Sequence, residues 1–310
     1  MNWWQQRMQW RRLYNVATSM WCPIKRGCSA LLLTFSAATQ ASLLEAYTDP
    51  TAPLAGKLWS TQSKQFVSLE SVLDTLPVGS WLLLGETHEN MDHHQLQANI
   101  INYLADRARL GNVGLEMAHS EQQPLLDRAQ SGELAIAPEQ LAWQRGWPWE
   151  WYEAPVTAAL KSATRVIAGD LTRDAKLQAY RAEDLKIPAS PDYEEFMLEL
   201  LFESHCQQMP KSQLGSMMNV QYARDKAMLD AMAANTASDA INLFLAGTVH
   251  ARDDLGIPYW QPEFNPTTLL MIAAQTSLEP RDYYPDSYTE TPAADYLLFT
   301  PSYKYESGCN

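Results

Sequence analysis

Four short apolar runs, three of them cut off by glycine and a polar residue and one by a glutamate, constrain this chain more than anything else in it. They read LLLGETH at 82–88, VGLEM at 113–117, VIAGDL at 166–171 and LFLAGTVH at 243–250. Runs of this length with no alternation suit strands buried on both faces. With two further runs, the candidate strands are 81–84, 113–115, 166–168, 241–246, 269–273 and 296–299. Leu96, Ile100, Leu104 and Ala108 recur every four residues after the first strand, which places a helix there. Strand, helix and strand in succession predict an α/β fold: a mostly parallel sheet with flanking helices. Two long helical regions, roughly 121–163 and 192–235, interrupt the alternation and are assigned to a smaller all-helical subdomain over the sheet. A chain of 310 residues, 46% apolar, is long enough to bury such a core.

The first 41 residues stand apart. They carry Arg7, Arg11, Arg12, Lys25 and Arg26, no acid, and then the apolar stretch GCSALLLTFSAA at 27–38. A basic segment, a short apolar run and small residues read as an export signal, so residues 42–310 form the expected mature, periplasmic protein. Met20 offers a shorter and more ordinary signal as an alternative start. Neither Cys22 nor Cys28 follows the pattern of a lipidated cysteine, so the expected product is soluble, with membrane association through an uncleaved signal as the alternative. Taking those five basic residues from the chain's 23 leaves 18 against 36 acidic ones, a net charge of −18. A surface so acidic repels nucleic acid and anionic lipid and excludes both as partners. Cys206 and Cys309 remain, either paired or as two thiols.

Open parallel sheets bind ligands outside the carboxyl ends of their strands. The runs end there in Gly85, Glu86 and His88; in Glu116; in Asp170; and in Gly247 and His250. Two copies of Gly-x-x-His after apolar runs, and carboxylates after the others, predict one crevice assembled from distant segments. A single such histidine would be an ordinary loop residue, and Asp170 reads equally as the cap of a following helix. His93 and His94 stand open between a helix start and the site.

Taken together, LLLGETHENMDHHQLQ, VGLEM, WPWEWYEAP, HCQQMP, VQYARDKAM and LAGTVHARDDLGIP resemble the ChaN-type family of cofacial haem-binding, iron-regulated proteins, over about residues 78–260. The resemblance implies a dimer enclosing two stacked haems and iron held by a tyrosine with a histidine nearby. It implies a role in haem and iron acquisition or storage, without catalysis, with haem as cofactor and an outer-membrane haem receptor as a further partner. The segment WQRGWPWEWYEAP at 143–155 is unusually rich in aromatic surface, and Tyr152 sits where the family segment has its tyrosine; Tyr222 and Tyr259 are the alternatives. A tyrosinate suits ferric iron. The expected haem-binding set is Tyr152, His88, His94, His250, Glu116, Trp151, Arg224 and Met228. Arg224 is expected to meet a propionate, and Met228, on the same helical stripe as Gln221, the porphyrin. His205 and Met209, four apart, offer a further face.

Gly85-x-x-His88, Glu116 and Gly247-x-x-His250 also resemble the sites of Tiki-type metalloproteases and erythromycin-esterase-like hydrolases. That alternative is a metal-dependent hydrolase with His88, Glu116 and His250 on the metal and Glu86 as base. It leaves the tryptophan segment without a role.

Overall fold

In the computed structural model, which describes residues 42–182 and 186–303, the elements follow in chain order. β1 (Lys57–Ser60), β2 (Gln65–Val67), α1 (Leu69–Thr75), β3 (Trp81–Glu86), α2 (Met91–Asp106) and β4 (Leu110–His119) come first. α3 (Gln123–Gln130), α4 (Trp149–Ser162), β5 (Val166–Asp170), α5 (Arg173–Arg181), α6 (Pro191–Ser204) and α7 (Lys211–Ala234) follow. β6 (Ile241–Gly247), the short α8 (Thr248–Ala251) and α9 (Ile257–Trp260), β7 (Thr267–Ala273) and β8 (Tyr296–Thr300) complete them.

All eight strands lie in one sheet, in the order β2-β1-β8-β7-β3-β6-β4-β5. From β8 to β5 every pairing is parallel, and β1 and β2 add an antiparallel hairpin at the β8 edge. The six strands expected from the apolar runs are β3 to β8. The hairpin was not expected: β1 and β2 are four and three residues long and half solvated, too short for a recognisable pattern.

The continuous apolar runs are explained by burial on both faces. Leu82 and Leu84 of β3, with Leu243 and Leu245 of β6, join a core shared with α1, α2 and α4. Leu83, Phe244 and Ala246 point the other way, into a core shared with Met228, Leu229 and Met232 of α7. Phe244 lies so close over β4 that a Cβ on Gly114 would come within 2.2 Å of its ring. Truncating such a buried ring costs about 3–5 kcal/mol. α2 begins at Asn90, whose side chain accepts from the Asp92 amide (3.0 Å), satisfying a free N–H of the first turn.

The two helical regions differ in how they are anchored. α4 packs on α2 and sends Tyr152, Val156 and Leu160 into the core of the sheet. α6 and the first half of α7 form a layer of their own, around Tyr193, Met197, Leu201 and Leu214 with Leu255. The proposed export signal and Cys309 lie outside the described residues; Cys206 is disulfide-bonded. Among the described residues no helix is long and apolar enough to cross a membrane.

Candidate functional site

The carboxyl ends of β3, β4, β5 and β6 meet on one side of the sheet. There, neighbouring parallel strands carry Glu86, Asp170 and Gly247 as their last residues and Glu116 three residues before the end of β4. Glu86, Glu116 and Asp170 are buried. Three carboxylates in low dielectric repel one another and are costly to desolvate, so each needs opposite charge or donors.

Glu86 is surrounded by donors. Its Oε1 accepts from the Tyr152 hydroxyl (2.8 Å) and faces His88 Nδ1 at 3.0 Å, while Oε2 accepts from Gln97 Nε2 (2.6 Å). His94 Nε2 lies 3.3 Å from Oε1 without the alignment of a hydrogen bond, and His94 Nδ1 is a buried nitrogen with no partner. Burial alone would raise this carboxyl, but the hydrogen bond from His88 and the contact with His94 outweigh it and hold it well below the usual range.

Glu116 is balanced by cations. Arg224 Nη2 donates to its Oε1 (2.6 Å) and reaches Asp170 Oδ2 (3.0 Å), while Arg224 Nε donates to Asp170 Oδ1 (3.0 Å). The Gly247 amide donates to Glu116 Oε2 (2.6 Å). Against the cost of burial, His250, Arg224, His88 and this amide bring the Glu116 pKa down to about 2. Lys176 is the second cation on Asp170. The helix after β5 is capped by Thr172, so Asp170 serves the site instead.

Both strand-end histidines sit between two carboxylates. His88 Nε2 is 3.9 Å from Glu116, opposite the bond from Nδ1 to Glu86. Burial works against its charged form, but the bond to Glu86 and the charge of Glu116 prevail, and its pKa is pushed up to about 9. His250 Nδ1 lies 2.5 Å from Asp225 Oδ1 and its Nε2 3.5 Å from Glu116. Asp225 also accepts from Trp260 Nε1 (3.0 Å). Gly247 leaves room for His88: a Cβ there would come within 2.7 Å of the imidazole. His93 is a structural group, its Nδ1 accepting from the Thr87 amide (2.9 Å), with burial pulling its pKa down to about 3.

Above this floor opens a cavity of about 600 Å³. Its floor is Glu86, His88, Glu116, Arg224 and His250, its wall Met197, Leu200, Leu201, Met217 and Val220 of α6 and α7, and Trp147 stands at its rim. Trp147 meets His88 edge-on, with ring centroids 4.8 Å apart. Ligand pockets commonly measure about 300–1,000 Å³, with an apolar lining and a few fixed polar groups.

Of the residues singled out from the sequence, His88, Glu116, Arg224 and His250 line this cavity. Tyr152 is fully buried behind Glu86, and burial, then the Glu86 charge, push its phenol far above the ordinary tyrosine range. Trp151 and His94 line a separate groove between α2 and α4, of about 550 Å³. Met228 is buried against the opposite face of the sheet. Tyr222 packs edge-on to Trp260, and Tyr259 stacks on Tyr193 with centroids 4.6 Å apart. His88, Glu116 and His250 converge as the hydrolase alternative expects, but the guanidinium of Arg224 already occupies Glu116. Among the described residues no group of three or more His, Cys, Asp or Glu side chains is arranged to hold a metal ion.

Sequence reasoning missed Gln97, Lys176, Asp225, Met197 and Met217. Gln97 had a signal, three residues beyond His94 on the same helix. Asp225 had another, next to Arg224: adjacent helical positions point about 100° apart, so one side chain turns to β4 and β5 and the other to His250.

A profile of proteins described as haem-binding uptake, Tiki superfamily, ChaN matches residues 72–260. A structure described as cofacial heme binding to ChaN of Campylobacter jejuni is similar at a TM-score of 0.64 and 23% identity, over 78% of this chain and 95% of that one. A mutant of the erythromycin esterase EreC, in its open conformation, is similar only at a TM-score of 0.42 and 12% identity, over 69% of this chain and 76% of that one. No match was found among curated protein sequences. The profile spans more than half of the 310 residues and includes the ends of all four strands that build the cavity floor, so this chain belongs to the ChaN-type haem-binding uptake family of the Tiki superfamily.

Proposed function

We propose that this protein binds haem in the strand-end cavity, is exported to the periplasm, and handles haem during iron acquisition or storage as a haem-stacked dimer. The observation that carries the reading is the two-sided cavity itself, in a chain of a haem-binding family. A porphyrin is a large apolar disc with two carboxylates at one edge. The wall of Met197, Leu200, Leu201, Met217 and Val220 suits the disc: apolar and thioether groups bury area that water disfavours. His88, one-third exposed and cationic at neutral pH, offers charge to a propionate. Arg224 offers less, because Glu116 and Asp170 already engage it. Histidine and methionine side chains at the cavity supply nitrogen and sulfur donors for iron, so the residues fit the group.

A cavity open on one side leaves part of a porphyrin in water. A second subunit carrying its own haem would cover that face, and by linkage haem would then tighten the dimer as much as the dimer tightens haem. The direction of transfer and an outer-membrane receptor as donor or acceptor belong to the same reading.

The test is a titration of the purified chain with hemin, followed by the Soret band, with sedimentation before and after. The expected result is saturable binding at one haem per chain and a shift from monomer to dimer. Absence of saturable binding sinks the haem reading; one haem per chain on a strict monomer sinks only the stacked dimer.

A further inference from the structure

Two carboxylates outside the cavity lack the balance of charge found in its floor. Asp253 lies in the loop between α8 and α9, and Asp295 immediately precedes β8; both are partly buried. Both are bonded to one residue at the start of β7, Thr268. Its hydroxyl donates to Asp253 Oδ2 (2.9 Å) and accepts from the Asp295 amide (3.0 Å), while its own amide donates to Asp295 Oδ2 (3.0 Å). A hydroxyl has a single proton, so each carboxylate receives one neutral donor from Thr268. Arg252, the neighbouring cation in the loop, is turned to Asp254, with Nε and Nη2 donating at 2.8 and 2.6 Å. The charges that act on Asp253 are both negative: Asp295 across the contact, and Asp254 beside it in the loop.

This loop is joined to the cavity on both sides. α8 carries His250, which lines it with Val249, and Trp260 of α9 donates to Asp225, the carboxylate beside His250 Nδ1. Leu255, between the two helices, belongs to the core of the helical wall. The chain folds back so closely that a Cβ on Gly256 would come within 2.1 Å of the His250 carbonyl oxygen. Asp253 fastens the loop to the sheet, its amide donating to the Ala293 carbonyl oxygen (2.9 Å) and its side chain accepting from Thr268.

We infer that Asp253 and Asp295 form a pH-sensitive clasp: with a proton on one of them they hold the α8–α9 loop in place, and once both are ionised their repulsion loosens it, and with it His250 and Trp260. Burial, then the Asp295 charge, push the Asp253 carboxyl up to about 7; the bond from Thr268 opposes them and the Asp254 charge adds to them. Burial raises the Asp295 carboxyl as well. In the unfolded chain an aspartate ionises near 3.8, so the folded state holds the proton more tightly. The stability it contributes is therefore complete below that pH and is lost as pH rises through 7.

The test compares the full chain with Asp253→Asn, which keeps an acceptor for the Thr268 hydroxyl and cannot ionise. In urea denaturation the folding equilibrium constant of wild type should fall, relative to the variant, at least about tenfold between pH 5 and pH 8. Hydrogen exchange, corrected for its intrinsic pH dependence, locates the effect. In wild type, residues 248–260 and 291–296 should lose protection over that range, and in Asp253→Asn they should keep it. Asp295→Asn removes the neighbouring charge and keeps an acceptor for the Thr268 amide, so it should move the transition in exchange to lower pH. A stability profile of Asp253→Asn parallel to that of wild type overturns the clasp. Loss of protection spread evenly over the chain does so too, as does an unmoved transition in Asp295→Asn. Should Asp253→Asn not fold, the Asp295→Asn transition decides. Hemin enters none of these measurements, so the clasp stands or falls apart from the haem reading.

Discussion

The floor and the wall of the cavity are built on opposite principles. The floor comes from the ends of four parallel strands, and its charged groups are buried and engaged several times over: Glu86 with Tyr152, His88 and Gln97, Glu116 with Arg224 and the Gly247 amide, Asp170 with Arg224 and Lys176. The wall comes from two helices around a small core, in which Tyr193, Met197, Leu201, Leu214 and Leu255 are the fully packed members. A closed network of charges is rigid, because moving one member exposes another without its partner. A thin apolar layer with thioether side chains adapts more easily. The comparison assigns charge and orientation to the floor, and contact with the ligand's faces to the wall.

The most severe way to break the comparison is Arg224→Met, which leaves Glu116 and Asp170 without their shared cation. Removing one partner of a buried ion pair costs about 3–5 kcal/mol, and urea denaturation should register a loss of that size. A loss below about 1 kcal/mol would show that the floor is not held together by charge. Leu201→Ala probes the wall. Leucine truncation in a core costs about 2–5 kcal/mol, and beside an open cavity the low end is expected. Equal losses for the two variants would remove the contrast between the regions.

A gentler probe is pH. His88 has a folded pKa of about 9 against an ordinary 6.5, so the folded state holds its proton more tightly than the unfolded chain. Its contribution to stability is therefore complete below about pH 6.5 and disappears as pH rises through 9. Allowing for screening at a one-third exposed ring, the loss between pH 7 and 10 should be about 1–2 kcal/mol. His88→Gln should flatten that part of the profile; an unchanged slope would place the titrating group elsewhere. An effect of similar size is expected from Tyr152→Phe, which removes one of several donors to Glu86. A hydrogen bond to a charged group is worth about 1.5–3 kcal/mol, and with His88 and Gln97 still donating the loss should fall near the lower value. The same variant should leave the haem spectrum as in wild type.

The six-stranded parallel part of the sheet was legible because its signal is local. Strands buried on both faces must be apolar at every position, so β3 to β8 announce themselves as unbroken runs. The strand ends were legible for a related reason: in a parallel sheet they share one side, so Glu86, Glu116, Asp170 and His250 had to converge wherever the helices went. The β1–β2 hairpin was not, since seven half-solvated residues carry no pattern.

What sequence alone determined, then, is the sheet, the polar floor and the family resemblance, all properties of short segments read one at a time. Tertiary structure decided the rest. WQRGWPWEWYEAP looked like one aromatic surface, but the packing of α4 on α2 divides it: Trp147 at the cavity rim, Trp151 in another groove, and Tyr152 buried behind Glu86. Gln221, Arg224 and Met228 share a helical stripe, yet Gln221 and Arg224 reach the cavity while Met228 lies in the core beneath the sheet. The reason is geometric. Helical periodicity says which side chains share a face, but which part of that face meets a cavity depends on where a 24-residue helix crosses a sheet built from distant parts of the chain.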